Sequence, residues 1–348
     1  MPHTLVGFSG LSIAIGLLII AIGSFAQSSS YVPINKVKNW RWECFWLVQG
    51  IFAWLVFPLL GALLAVPKDI SLFELYRDVS IKGPFIYGML WGIGGLTFGL
   101  SMRYLGIALG QSIALGMCSA FGTMIPALTG ENQVAAAALV VCVSVMLAGI
   151  AVIGYAGKLR ESSMSEEDRK KAIKDFAFSK GLLVALMAGV MSACFNLGLE
   201  AGVPVKEAAI SNGANELFAL NPVILLVTLG GFVTNAVYCL YQNLKNNSFS
   251  DYFSSGGSVI LNNLLFCALA GLLWYSQFFG LGVGKVFLAG SPVMLAFSWS
   301  ILMSLNILFS NFWGIILKEW KGTGRKAIFV LAAGMAILIV SLIIPNIF

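Results

Sequence analysis

Long apolar runs alternate with short gaps along this chain, and every second gap is basic. That pattern leaves little choice of fold. The gaps holding Lys36, Lys38 and Arg41, then Arg103, then the stretch from Lys158 to Lys180, then Lys245, then Lys318 to Lys326 contain 16 of the 21 lysines and arginines. Only Lys68, Arg77, Lys82, Lys206 and Lys285 fall in the alternate gaps. Basic loops stay on the cytoplasmic side of a membrane during insertion. The alternation therefore predicts odd-numbered loops facing the cytoplasm and both termini on the outer (periplasmic) side.

Composition agrees. Of 348 residues, 59% are apolar and 10% charged, against about 25% charged in soluble domains. A helix needs roughly 20 apolar residues to cross the hydrocarbon layer. About ten stretches qualify, near 4–28, 42–66, 83–104, 108–129, 134–156, 181–200, 218–243, 257–280, 287–315 and 327–345. Helices are required because unpaired backbone groups in lipid are costly and no strand pattern suited to a closed barrel is visible. The net charge of +6 fits cytoplasmic loops meeting anionic lipid rather than a nucleic-acid surface. The first run, ending near Ser24-Phe25-Ala26, is long and has no basic residue before it, so it reads as a spanning helix rather than a cleaved leader. Six cysteines without a CxxC pair read as small packing residues, not disulfides or metal ligands.

The charge-mixed stretch Glu161 to Lys171 is a solvated linker with five apolar segments on either side. Five is odd, so the second half enters the membrane in the opposite sense. The expected fold is all-α: ten transmembrane helices in two inverted five-helix repeats, 1–157 and 181–348, joined by a cytoplasmic linker at 158–180. In such arrangements the substrate site lies near the midplane, where the halves meet. Gly88 and Gly92, Gly95 and Gly99, and Gly106 and Gly110 are spaced for close helix packing. The run Trp91-Gly92-Ile93-Gly94-Gly95 lacks the strand that would make it a nucleotide loop. Pro126 closes the fourth segment, and Pro292 inside the ninth marks a kink or a cavity-wall break.

Catalytic equipment is sparse. The only histidine is His3, and neither a metal-ligand cluster nor a nucleophile with a partnered base is recognisable. No metal or cofactor is expected. Glu166, Glu167 and Asp168 sit among basic residues as a solvated patch. Polar groups within the apolar segments are mostly amides, including Gln27, Gln49, Gln111, Asn196, Asn235, Asn262, Asn263, Gln277, Asn306 and Asn311. Amides both donate and accept hydrogen bonds, which suits an uncharged polyhydroxylated solute; interhelical hydrogen bonding is the alternative. Trp274 and Gln277 at the end of the eighth segment, with Trp91 in the third, supply apolar faces that a sugar ring can stack on. An interfacial belt is the alternative reading of these aromatics and the expected one for Trp40, Trp42 and Trp46. Intramembrane carboxylates are functional candidates, and Glu43 and Glu200 are the two available. A boundary ion pair is the alternative for each.

Four strings stand out: Tyr31-Val32-Pro33-Ile34-Asn35-Lys36-Val37-Lys38-Asn39-Trp40-Arg41-Trp42-Glu43, Leu90-Trp91-Gly92-Ile93-Gly94 with Met102-Arg103-Tyr104-Leu105-Gly106, Trp274-Tyr275-Ser276-Gln277-Phe278-Phe279, and Leu317-Lys318-Glu319-Trp320 closing on Gly324-Arg325. They resemble the bacterial L-rhamnose/proton symporter family of the drug/metabolite transporter superfamily. The likeness runs through nearly the whole chain. In that family a histidine stands at the position of Asn262 and an asparagine at that of Glu200. Membership implies ten helices in two inverted halves and proton-driven uptake of a deoxyhexose across a bacterial inner membrane. The expected partners are thus L-rhamnose or a related neutral sugar, protons and the lipid bilayer, with no nucleic acid. Asn196, Asn263, Trp274, Gln277, Gln111 and Trp91 are the expected sugar contacts; Glu43, then Glu200, are the expected proton carriers. A metabolite exporter of the same superfamily and a membrane enzyme acting on a lipid-linked sugar are the alternatives.

Overall fold

The computed structural model of the chain describes residues 10–105, 107–129, 136–163, 178–318, 320 and 323–347, and among these every regular element is helical. Each of the ten expected stretches overlaps a helix among the described residues; 4–9 of the first and 134–135 of the fifth lie outside them. The helices are α1 Gly10–Ser29, α2 Trp42–Ala65, α3 Lys82–Leu105, α4 Ile107–Thr129, α5 Ala136–Ser162, α6 Phe178–Ala201, α7 Asn221–Asn246, α8 Gly257–Leu288, α9 Pro292–Ile316 and α10 Arg325–Ile343. Among the described residues, nine helices are long and apolar enough to cross a membrane; the glycine-rich α3 stands outside that set. Large apolar side chains such as Leu64, Leu183, Leu244 and Phe329 project outward, as they do where the surrounding solvent is lipid. The protein is a multi-pass membrane protein. Most of the charged linker lies outside the described residues.

The chain packs as two compact units. One comprises Met1–Ile13, Ile93–Leu197 and Phe287–Phe348, and the other Ala14–Gly92 and Gly198–Val286. Each draws on chain from both sides of the linker. In the first unit α5 packs on α10, and α4 on α5 and α9; in the second α7 packs on α2. Helices five places apart in the chain are therefore packing partners in three cases. The first unit buries Leu139, Met146, Phe195, Phe297, Ile301 and Leu302, and the second buries Ile20, Leu199, Ile224 and Leu281.

Glycine sets the closest approach in the second unit. A Cβ at Gly88 of α3 would lie 2.1 Å from the Val227 carbonyl oxygen of α7, and one at Gly230 of α7 would lie 2.1 Å from the Phe85 carbonyl oxygen. A Cβ at Gly95 or Gly99, expected to form a similar groove, would meet nothing within 4 Å among the described residues. Gly106 lies outside the described residues. Pro292 also departs from expectation. It does not interrupt a helix but opens α9, directly after Ser291, whose hydroxyl accepts from the Met294 N–H. Proline is tolerated in a first turn because its missing N–H would have no intrahelical partner there. Pro126, by contrast, lies inside α4, which continues to Thr129.

Candidate functional site

Helix α2 changes pitch midway. It is α-helical over Trp42–Gly50, π-helical over Ile51–Val56 and α-helical again over Phe57–Ala65. Pro58 follows the wide turn and has no N–H to donate to the carbonyl four residues back, that of Trp54. The Phe57 N–H bonds instead to Phe52, five residues back. Such wide turns amount to one extra residue in a helix and recur at functional sites. Here the turn carries Trp54, which is 3% exposed.

Trp54 is the hub of an aromatic cluster in the second unit. Its ring stands nearly perpendicular to Trp91 at 5.8 Å and to Trp274 at 6.0 Å, while Trp91 and Trp274 lie 5.7 Å apart. Trp46 adjoins Trp54 at 5.7 Å and stacks on Trp42 at 5.6 Å; Phe278 adjoins Trp274 at 5.0 Å. Glycines make room for the indoles. A Cβ on Gly50 would meet the Trp54 ring at 2.7 Å, and one on Gly231 would meet Trp91 at 2.2 Å. Trp46, half-buried, joins this run of rings and donates its indole N–H to Asn235 at 3.0 Å.

The polar groups of this unit divide into committed and uncommitted ones. Asn235 accepts from the Trp46 indole N–H at 3.0 Å and donates to the Gly231 carbonyl at 2.9 Å. The Asn263 side chain exchanges two hydrogen bonds with the backbone of one residue: Oδ1 accepts from Lys38 N–H at 3.0 Å and Nδ2 donates to Lys38 C=O at 2.8 Å. It ties the segment before α2 to α8. Gln277 is buried and donates to the Trp274 carbonyl at 3.1 Å. Gln49 Oε1 and Trp54 Nε1 are buried without a hydrogen-bond partner.

The two carboxylates have different surroundings. Glu43, 4% exposed, opens α2 and accepts from Asn246 Nδ2 at 3.0 Å and Ser248 Oγ at 2.7 Å. Helix α7 ends there with Asn247 in the left-handed region at φ 50°, a conformation asparagine tolerates. The turn brings Ser248 back to bond both Glu43 and Asn243, the latter at 2.8 Å. Asn243 in turn donates to the Tyr252 hydroxyl at 3.2 Å. Burial pushes the Tyr252 phenol well up, outweighing the opposing effect of that hydrogen bond. Arg41 pairs with Asp251 at 3.1 Å rather than with Glu43. Glu200 instead forms an ion pair with Lys285 at 3.0 Å, its side chain 40% exposed.

Asn196 belongs to the first unit. Its Nδ2 donates to the Gly122 carbonyl at 2.7 Å, joining α6 to α4, while Oδ1 is buried without a partner. Beside it Phe195 stacks on Trp299 at 6.0 Å, and the Thr123 and Ser300 hydroxyls bond at 2.7 Å. The side chain of Gln111 lies outside the described residues. Among the described residues no group of three His, Cys, Asp or Glu side chains could hold a metal ion.

Of the expected contacts, Trp91, Trp274 and Gln277 come together within one unit. Asn263 is in that unit but bonded to the Lys38 backbone, and Asn196 is in the other. Trp54 is the participant that sequence reasoning missed. The available signal was Pro58 four residues downstream, which forecasts a disturbed turn at Trp54.

Comparison of the amino-acid sequence with known proteins finds relatives over nearly its whole length. The family model described as L-rhamnose-proton symport protein (RhaT) covers residues 10–347. The chain is 33% identical to an L-rhamnose-proton symporter of Yersinia pestis over 339 residues, 95% of this chain and 96% of that one. The same values hold for an L-rhamnose-proton symporter of Yersinia pseudotuberculosis. With a match of that extent, the chain belongs to the L-rhamnose-proton symport protein family.

Proposed function

We propose that this protein is a secondary active transporter, not an enzyme, that carries L-rhamnose together with protons into the cell by alternating access. The observation that carries the reading is an aromatic and amide cluster, built by the buried Trp54 and Gln277 and the half-buried Trp91 and Trp274, in a chain of the rhamnose symport family. Sugar rings stack their C–H faces on indoles, and amides bond hydroxyls without requiring charge. Inward proton movement supplies about 2.3 kcal/mol per charge per 100 mV, enough to accumulate a neutral solute. Glu43 is the proton carrier: a buried carboxylate with neutral donors and no ion-pair partner among the described residues. Glu200, the second candidate, has its charge balanced by Lys285, which favours a structural role. Trp91, Trp274 and Gln277 contact the sugar, with Asn196, Asn263 and Gln111 as further candidates.

Ten crossings in two inverted halves of a drug/metabolite transporter fold complete the reading. The packing of α2 on α7, α4 on α9 and α5 on α10 supports it, since elements beside a pseudo-two-fold axis meet their own counterparts. The basic gaps support an orientation with both termini on the periplasmic side of a bacterial inner membrane. Uptake of labelled L-rhamnose by proteoliposomes, with and without an inward proton gradient, tests the whole proposal. Gradient-independent outward movement of other metabolites would favour an exporter, and sugar chemistry on a lipid carrier would favour an enzyme.

A further inference from the structure

We infer that Trp54 and Gln49 contact the transported sugar directly, Trp54 donating its indole N–H to one hydroxyl and Gln49 accepting from another. The inference rests on the symport reading and goes beyond it by naming two residues and their bonding roles. Both residues are almost fully buried, at 3% and 2% exposure, and Trp54 Nε1 and Gln49 Oε1 have no partner among the described residues. A buried polar atom left unpaired is costly, about 1–3 kcal/mol, and is rare enough in native structures to require a reason. The neighbouring amides show the contrast: Asn235 and Asn263 are bonded at both polar atoms.

Three features point to an uncharged polyhydroxylated ligand. An indole N–H only donates and a carbonyl oxygen only accepts, while a hydroxyl does either. Trp54 is already packed against Trp91 and Trp274, so an apolar surface adjoins its N–H. Both residues belong to α2, Gln49 near the end of its α-helical stretch Trp42–Gly50 and Trp54 in the π-helical turn Ile51–Val56 that follows. Gly50 lies between them, and its missing side chain leaves space for the Trp54 ring.

The test is L-rhamnose binding to purified, detergent-solubilised protein by calorimetry. The set comprises wild type, Trp54→Phe, which keeps a ring but loses the donor, and Gln49→Met, which keeps the length but loses the acceptor. Each substitution is expected to raise Kd about tenfold, the equivalent of one hydrogen bond. A set of monodeoxy rhamnose analogues then separates contact from structure. The analogue lacking the hydroxyl bound by Trp54 should lose affinity for wild type yet show no further loss on Trp54→Phe. Wild-type Kd in both variants would overturn the inference while leaving symport standing. Absence of rhamnose binding to the wild type would overturn both. Should Trp54→Phe fail to fold, Gln49→Met and its matching deoxy analogue decide the matter.

Discussion

The Glu43 carboxylate accepts the Ser248 hydroxyl proton across 2.7 Å, while Arg41, two residues earlier, is held by Asp251. A buried acid held by neutral donors can take up a proton without breaking an ion pair. Glu43→Gln preserves the shape and the acceptor oxygen but cannot titrate. Uphill rhamnose accumulation driven by a proton gradient should vanish in proteoliposomes, while exchange of sugar between equal pools continues. Undiminished accumulation would remove Glu43 from coupling.

Trp274 meets Trp54 and Trp91 at the centre of the ring cluster. Its loss removes an aromatic wall, and aromatic contacts contribute about 0.5–1.5 kcal/mol beyond their buried area. Trp274→Ala should therefore weaken rhamnose binding about tenfold or more, read by calorimetry. Wild-type affinity would leave Trp274 as a packing residue only.

The Glu200–Lys285 pair is partly exposed, at 40% and 17% of the two side chains, and such pairs contribute about 1 kcal/mol or less. Glu200→Gln should lower thermal stability slightly while retaining proton-driven accumulation. In a double-mutant cycle with Lys285→Met, the paired change should cost less than the two single changes together. Loss of accumulation with unchanged exchange in Glu200→Gln would instead make Glu200 the proton carrier.

Packing of α3 on α7 predicts opposite outcomes for two glycines of one helix. Gly88→Ala puts a Cβ 2.1 Å from the Val227 carbonyl oxygen, whereas Gly95→Ala meets nothing within 4 Å. Overpacking costs about 1–3 kcal/mol, and alanine is otherwise the better helix former. The Tm in detergent should fall for Gly88→Ala and hold or rise for Gly95→Ala.

Orientation is testable because all six native cysteines are buried and should stay silent to a membrane-impermeant maleimide. On intact cells, Ser80→Cys, in the gap after α2, should label from outside, and Ser254→Cys, in the gap after α7, should not. The reverse pattern would invert the topology.

The nine membrane-length apolar helices among the described residues were legible because lipid solvent forces a length and a composition on a crossing. Helix ends were less so. Helix α8 runs to Leu288, past the expected boundary near 280, although Gly280, Gly282 and Gly284 resemble a break. Two of those glycines face α1: Gly280 approaches the Ile19 carbonyl, and Gly284 approaches Ile20 and Gly16. Asn263 carries the letter expected of a sugar contact, and only the folded chain shows the Lys38 backbone bonded to it. Trp46 and Trp54 look like any other membrane tryptophans until the π-helical turn aligns them. Local composition holds no record of such long-range partners.

That turn ties distant chemistry to the phase of one helix. Removing a single residue from 51–56 would let α2 regain regular pitch while its flanks keep their phase, so Glu43 and Trp46 would stay with Ser248 and Asn235 and only the seat of Trp54 would be lost. A second deletion, with no surplus residue left to absorb it, would turn everything upstream by about 100° about the axis. Sugar handling should thus fail at the first missing tooth and proton handling only at the second.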